Sequence, residues 1–156
     1  MSLEVNIEKK LDGFTLRAAF SAGNIPTALL GASGCGKSMT LRCIAGIVKP
    51  DKGRIVLDGR VLFDSEQHID LPPQQRGAGL LFQNYALFPN MTVEQTLTYY
   101  CIQKGIPDSR KVDEMLQLTG IDEKRRSRCK TLSLGQKQRL GLAIAMIGEP
   151  QVLVLD

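Results

Sequence analysis

The chain has 156 residues, 43% of them hydrophobic and 23% charged, with 20 Lys+Arg against 16 Asp+Glu for a formal net charge of +4. That balance fits a soluble globular domain long enough for a substantial core and excludes a low-complexity or fibrous chain. It also excludes a self-spanning membrane protein, because no apolar run approaches the roughly 20 residues a bilayer requires.

Residues 3–10 (LEVNIEKK) and 13–20 (GFTLRAAF) alternate apolar and polar side chains, the period of half-buried strands. Asp12-Gly13 between them suits a hairpin turn. Residues 25–30 (IPTALL) form a short apolar run, expected as a strand leading into a glycine-rich loop. Leu41, Ile44, Ala45 and Val48 then recur at helical spacing, with Gly46 and Pro50 marking the end. Residues 53–64 (GRIVLDGRVLFD) read as two strands flanking Asp58-Gly59. Residues 68–79 (HIDLPPQQRGAG) read as a loop, and residues 80–83 (LLFQ) as a buried strand. Beyond Gln83 the pattern becomes helical. Thr92 with Gln95 forms a capping box, a second helix starts near Asp108 and stops at Gly120, and a third runs from Ser133 to Gly148. The apolar run Val152 to Leu155 is a last buried strand, closed by Asp156. The expected architecture is an α/β core with a helical insert: residues 1–85 with 131–156 forming the core, and 86–130 the insert.

Residues 31–38 (GASGCGKS) satisfy the pattern G-x-x-x-x-G-K-[ST]. Gly31, Gly34 and Gly36 let the backbone curl so that successive N–H groups face inward. A helix start adds unsatisfied donors and a positive dipole end, which together favour an anion. Lys37 then reaches the outer phosphates of a nucleotide and the Ser38 hydroxyl ligates Mg²⁺. Cys35 has no base beside it and reads as a variable loop position. Asp156, at the end of an apolar strand, has the place of a carboxylate that steadies the magnesium through water. Cys35, Cys43, Cys101 and Cys129 show no CxxC and no metal spacing with His68, and unpaired thiols fit a reducing cytoplasm.

Residues 131–140 (TLSLGQKQRL) complete the pattern. Here the sequence resembles ATP-binding cassette (ABC) proteins, the motor subunits of membrane transporters. Their LSGGQ signature is matched by Leu132-Ser133-Leu134-Gly135-Gln136. The likeness covers nearly the whole chain: Walker A at 31–38, the Q-loop around Gln83, the signature, and Walker B at 152–156. The resemblance implies a P-loop NTPase fold, a RecA-like sheet with antiparallel N-terminal strands and a helical insert. It implies ATP and Mg²⁺ as ligands. The nucleotide would be held by Gly31, Ala32, Ser33, Gly34, Cys35, Gly36, Lys37, Ser38 and Met39, with Ser133, Gly135 and Gln136 serving the ATP of a second cassette. Lys37, Gln83 and Asp156 would carry catalysis, and Ser38, Gln83 and Asp156 the metal. Ser133 and Gln136 also form a capping box, and the two readings agree, since a helix N-terminus is itself an anion site.

Two positions depart from the family. Leu134 stands where it usually has glycine, and a side chain there crowds the partner's phosphate. No aromatic residue sits plainly where the family stacks adenine. Phe14 is the nearest, and a core role suits it equally. The family's glutamate after the Walker B acid, its D-loop and its switch histidine lie beyond residue 156. The expectation is therefore a chain ending after Walker B that binds nucleotide and hydrolyses it poorly.

The linking segments, with GRVLFD and LPPQQR, most resemble importers of the molybdate, sulfate, polyamine and maltose group, the molybdate type above all. The resemblance implies a homodimer of cassettes, peripheral on the inner face of the membrane, with permease subunits seated on the insert. Tyr85, Leu87, Phe88 and Met91 either receive the permease or pack the insert's own core. A DNA-repair, translation or signalling cassette is the alternative. With only 5% aromatic residues and a short insert, no nucleic-acid partner is expected.

Overall fold

The computed structural model describes residues 2–81, 85 and 87–156. Internal contacts divide the chain into two compact units, Met1–Ala78 and Gly79–Asp156.

The first unit is built on an antiparallel sheet. Strands β1 (Leu3–Leu11), β2 (Phe14–Ala22), β3 (Lys52–Leu57), β4 (Arg60–Asp64) and β5 (Ile69–Asp70) lie in the order β2-β1-β3-β4-β5. The alternation read from the sequence is the burial pattern of β1: Leu3, Val5 and Ile7 are buried, and Glu4 and Asn6 between them are exposed. The β1–β2 hairpin closes with Leu11 opposite Phe14, around Asp12-Gly13. The β3–β4 hairpin closes on Asp58 (φ 48°) and Gly59 (φ 77°). Both centres are left-handed, the turn whose twist matches the flanking strands. Helix α1 (Lys37–Ala45) buries Thr40, Cys43, Ile44 and Ala45 and ends on Gly46 at φ 80°.

Residues 25–30 differ from the sequence reading. They belong to no strand, and Ile25 and Leu30 are 74% and 92% exposed. An apolar run gains strand geometry only from neighbours that pair with it, and within this unit the sheet is complete without them. The stretch read as a loop before residue 80 carries the short strand β5 and a 3₁₀ turn at Pro73–Gln75.

The second unit holds α2 (Val93–Gln103), α3 (Ser109–Leu118), α4 (Leu134–Met146) and a two-stranded sheet of β6 (Ala78–Leu81) and β7 (Val152–Leu155). Both predicted capping boxes are present, Thr92 with Gln95 and Ser133 with Gln136, and Asp108 caps α3. One core joins the three helices through Leu97, Cys101, Met115, Leu116, Leu140 and Ile144. Against this core β6 lies so close to α4 that side chains are excluded at the crossing. A Cβ on Gly79 would collide with the Ala145 carbonyl, and one on Gly141 with the Leu81 side chain. Leu87 packs on the helical core, and Phe88 stacks its ring edge-on to Tyr99, centroids 5.0 Å apart. For these two residues the insert supplies its own partners.

Candidate functional site

In the first unit the loop 31–38 turns on two left-handed glycines, Gly34 (φ 80°) and Gly36 (φ 98°), a conformation that strains any residue with a Cβ. Gly36 is also the N-cap of α1, so the loop runs directly into the first helical turn. Residues 31–35 are exposed, while Gly36, Lys37, Ser38 and Met39 are half-buried. The Lys37 ammonium lies over the loop, donating to the carbonyls of Gly31 and Ala32 at 2.8 Å each, with the Cys35 sulfur 3.6 Å away. A Cβ on Gly31 would sit 2.7 Å from the same sulfur. The curve is therefore drawn tightly around one cation, with the Cys35 amide donating to the Ala32 carbonyl at 3.3 Å, and it leads into the first turn of α1, whose leading N–H groups have no intrahelical carbonyls to receive them. This is a donor-rich cradle suited to an anion.

What holds α1 at its other end is Arg76, 1% exposed. Its Nη1 donates to the carbonyls of Cys43 and Ile44 at 2.8 and 3.2 Å, its Nε to that of Leu71 at 2.7 Å, and its Nη2 to Asp70 at 2.8 Å. Burial pulls the guanidinium down from its ordinary value, and the Asp70 carboxylate opposes the shift. The last-turn carbonyls of α1 thus meet a cation where the helix dipole is negative. Gly46 leaves the room, since a Cβ there would stand 2.5 Å from Arg76 Nε. Next to these carbonyls, Cys43 is fully buried and its thiol is pushed up to about 11 by desolvation.

In the second unit, Ser133 Oγ accepts from the Gln136 amide at 3.3 Å while the Gln136 side chain accepts from the Ser133 amide at 2.9 Å. Ser133, Leu134 and Gly135 are exposed at the start of α4, Leu134 at 66%. At the opposite end Lys104 Nζ donates to the carbonyls of Ile147 and Ile144 at 2.5 and 3.2 Å, and burial lowers its pKa. Asp156 follows β7, half-buried, its amide bonded to the Leu81 carbonyl at 3.1 Å. Gln83 lies outside the described residues. Phe14, at the start of β2, is 43% exposed.

The residues present suit a nucleotide with magnesium better than a metal alone. Among the described residues no group of three or more His, Cys, Asp or Glu stands ready to hold an ion. The Ser38 hydroxyl at the head of α1 is an oxygen ligand of the hard kind that Mg²⁺ shares with phosphate and water.

With this geometry in place, comparison with known proteins is direct. The ABC transporter family profile matches residues 16–156. The chain belongs to the ABC transporter family. Molybdenum import ATP-binding protein ModC of Paramagnetospirillum magneticum is 38% identical over 99% of this chain and 43% of its own length. ModC of Brucella abortus is 39% identical, also over 99% and 43%. Molybdate/tungstate import ATP-binding protein WtpC of Methanocaldococcus jannaschii is 41% identical over 97% of this chain and 50% of its own. This ABC chain therefore spans half or less of the length of these curated relatives. Among solved structures, cbiO1 from Clostridium perfringens, part of the ABC transporter complex cbiONQ, matches with TM-score 0.75 and 30% identity over 99% of this chain and 64% of that one. The α/β P-loop fold read from the sequence is the fold of the family.

Sequence reasoning missed the two clasps on the ABC chain's helices. Arg76 sits in a stretch read as a loop and given no structural role of its own, and Lys104 just past a helix end. The one available signal was a basic residue beside a helix terminus, which many exposed side chains share.

Proposed function

We propose that this chain is the nucleotide-binding part of an ABC importer subunit, coupling ATP binding and hydrolysis to uptake of an oxyanion of the molybdate type. One observation carries the ATP reading: the loop 31–38 turns on Gly34 and Gly36 into the first turn of α1 with Lys37 over its mouth. In this reading Gly31 to Met39 hold the nucleotide, and Lys37 leaves the Gly31 and Ala32 carbonyls for phosphate oxygens. Ser38, Gln83 and Asp156 serve magnesium, and bound ATP supplies the energy difference between open and closed states. Ser133, Gly135 and Gln136, at the head of α4, serve the nucleotide of a second cassette in a homodimer. Residues 1–85 with 131–156 form the nucleotide-binding core, and 86–130 a helical subdomain that seats the permease at the inner face of the membrane. The choice of oxyanion follows the names of the relatives. The cassette carries no cargo site, so sulfate, polyamine or sugar uptake remains the second reading.

Calorimetric titration with Mg-ATP tests the core of the proposal. The chain should bind, and Lys37→Ala should weaken binding at least about tenfold, the loss of one charge-assisted contact to phosphate. No heat from well-folded protein, or equal affinity in the variant, overturns it. Deletion of the gene should lower cellular molybdenum at limiting molybdate, and normal metal content would overturn the cargo.

A further inference from the structure

The basic stretch at residues 124–130 (KRRSRCK) takes no part in the nucleotide chemistry. Exposure alternates along it. Lys124, Arg126, Arg128 and Lys130 are exposed, whereas Arg125 and Ser127 are half-buried and Cys129 is buried.

The inward set fastens the segment to the start of α2. Arg125 pairs with Glu94, Asp113 and Asp122 at 3.1, 2.5 and 3.1 Å. The Ser127 carbonyl accepts from the Val93 amide at 3.0 Å. Cys129 Sγ lies 3.2 Å from Thr96 Oγ1. Arg125 binds three of the neighbouring carboxylates, Glu123 stands beside Lys124, and among the described residues none of the four outward cations makes an ion pair. The tethered segment thus carries four exposed cations within seven residues.

We propose that this strip docks on anionic phospholipid headgroups. A lipid surface suits it because mobile headgroups need no fixed spacing to meet it. Nucleic acid suits it less, since single strands bind through aromatic stacking as well as charge and residues 122–131 contain no aromatic. The strip also carries no exposed apolar side chain to insert, so the contact is electrostatic and sensitive to salt. The choice of lipid over other polyanions rests on the importer reading. Binding to vesicles requires neither permease nor nucleotide, so it fails or succeeds independently of Mg-ATP binding.

Co-sedimentation of the 156-residue chain with phosphatidylcholine vesicles, with and without phosphatidylglycerol, provides the test. Binding is expected only with the anionic lipid, at low salt, and is lost at high salt. Each cation near such a surface raises partitioning about fivefold, so replacing all four by Gln should reduce it several hundredfold. Replacing Lys10, Arg17, Lys52 and Arg60 by Gln, the same change in net charge made elsewhere, should reduce it far less. Should the fourfold variant fail to fold, the Arg128→Gln/Lys130→Gln pair should still lose about 25-fold. Equal binding to neutral vesicles, equal loss in both fourfold variants, or tighter binding to a DNA duplex than to anionic vesicles overturns the proposal.

Discussion

At the scale of single residues, Arg76 is the side chain on which the phosphate-loop helix most depends. Replacing it by Met strands two last-turn carbonyls of α1 and the Leu71 carbonyl in a buried position. That should cost about 3 kcal/mol, read as a lower denaturation midpoint with an unchanged slope. Arg76→Lys, which keeps the charge and fewer donors, should fall between. The cysteines permit a second test. Cys35 is exposed, whereas Cys43, Cys101 and Cys129 are buried, and desolvation raises the Cys43 thiol to about 11. A thiol reagent at neutral pH should modify one sulfur per native chain quickly and four after unfolding, because only the thiolate attacks. Two fast sulfurs in the native protein would contradict the burial of Cys43 on α1 or of Cys101 and Cys129 in the helical core. The glycine pattern of the loop was readable from sequence because φ and close approach are local demands. Arg76 was not, because two of its four partners, Cys43 and Ile44, lie more than thirty residues away along the chain.

At the scale of elements, helix starts were the most legible feature. Thr92 with Gln95 and Ser133 with Gln136 sit where the chain's own chemistry calls for caps, and both boxes form. Thr92→Ala should destabilise by about 1 kcal/mol, measured by chemical denaturation, and Thr92→Ser should restore most of the loss. Helix α3 likewise starts on its predicted Asp108 cap. The failure was residues 25–30, where an apolar run was read as a strand. A strand is made by its neighbours, and hydrophobicity alone does not name them. The same reasoning explains the loop 68–79, where β5 forms only because β4 offers its free edge, Phe63 opposite Asp70. For Leu87 and Phe88 the sequence left two roles open, and contacts with the helical core and Tyr99 settle their packing.

At the scale of the whole molecule, two cores of different make-up share one chain, a sheet core in Met1–Ala78 and a helical core in Gly79–Asp156. Each unit carries within itself surface carboxylates whose folded pKa values are depressed. A hydrogen bond from Lys9 lowers Asp51, one from Arg110 lowers Asp108, and one from Lys111 lowers Glu149. A depressed carboxylate stabilises the fold above its ordinary value, 3.8 for Asp and 4.5 for Glu, and ceases to do so as pH falls through the folded value. The thermal midpoint should therefore be flat from neutrality to about pH 5 and fall below about pH 4. A midpoint that rises on acidification would reverse the sign. Fold class and the order of the motifs were visible in the sequence because they recur as local patterns. The division into cores and the two basic clasps were not, because they arise from contacts distant along the chain.

Those clasps give the molecule a mechanical character. Arg76 grips the tail of α1 and Lys104 the tail of α4, while the head of each helix opens on the stretch proposed to meet phosphate. A rod anchored at its rear and loaded at its tip transmits thrust along its axis and resists swinging. Any push delivered at either tip would thus arrive some four turns or fewer away, at the base of the rod, with little lost to bending.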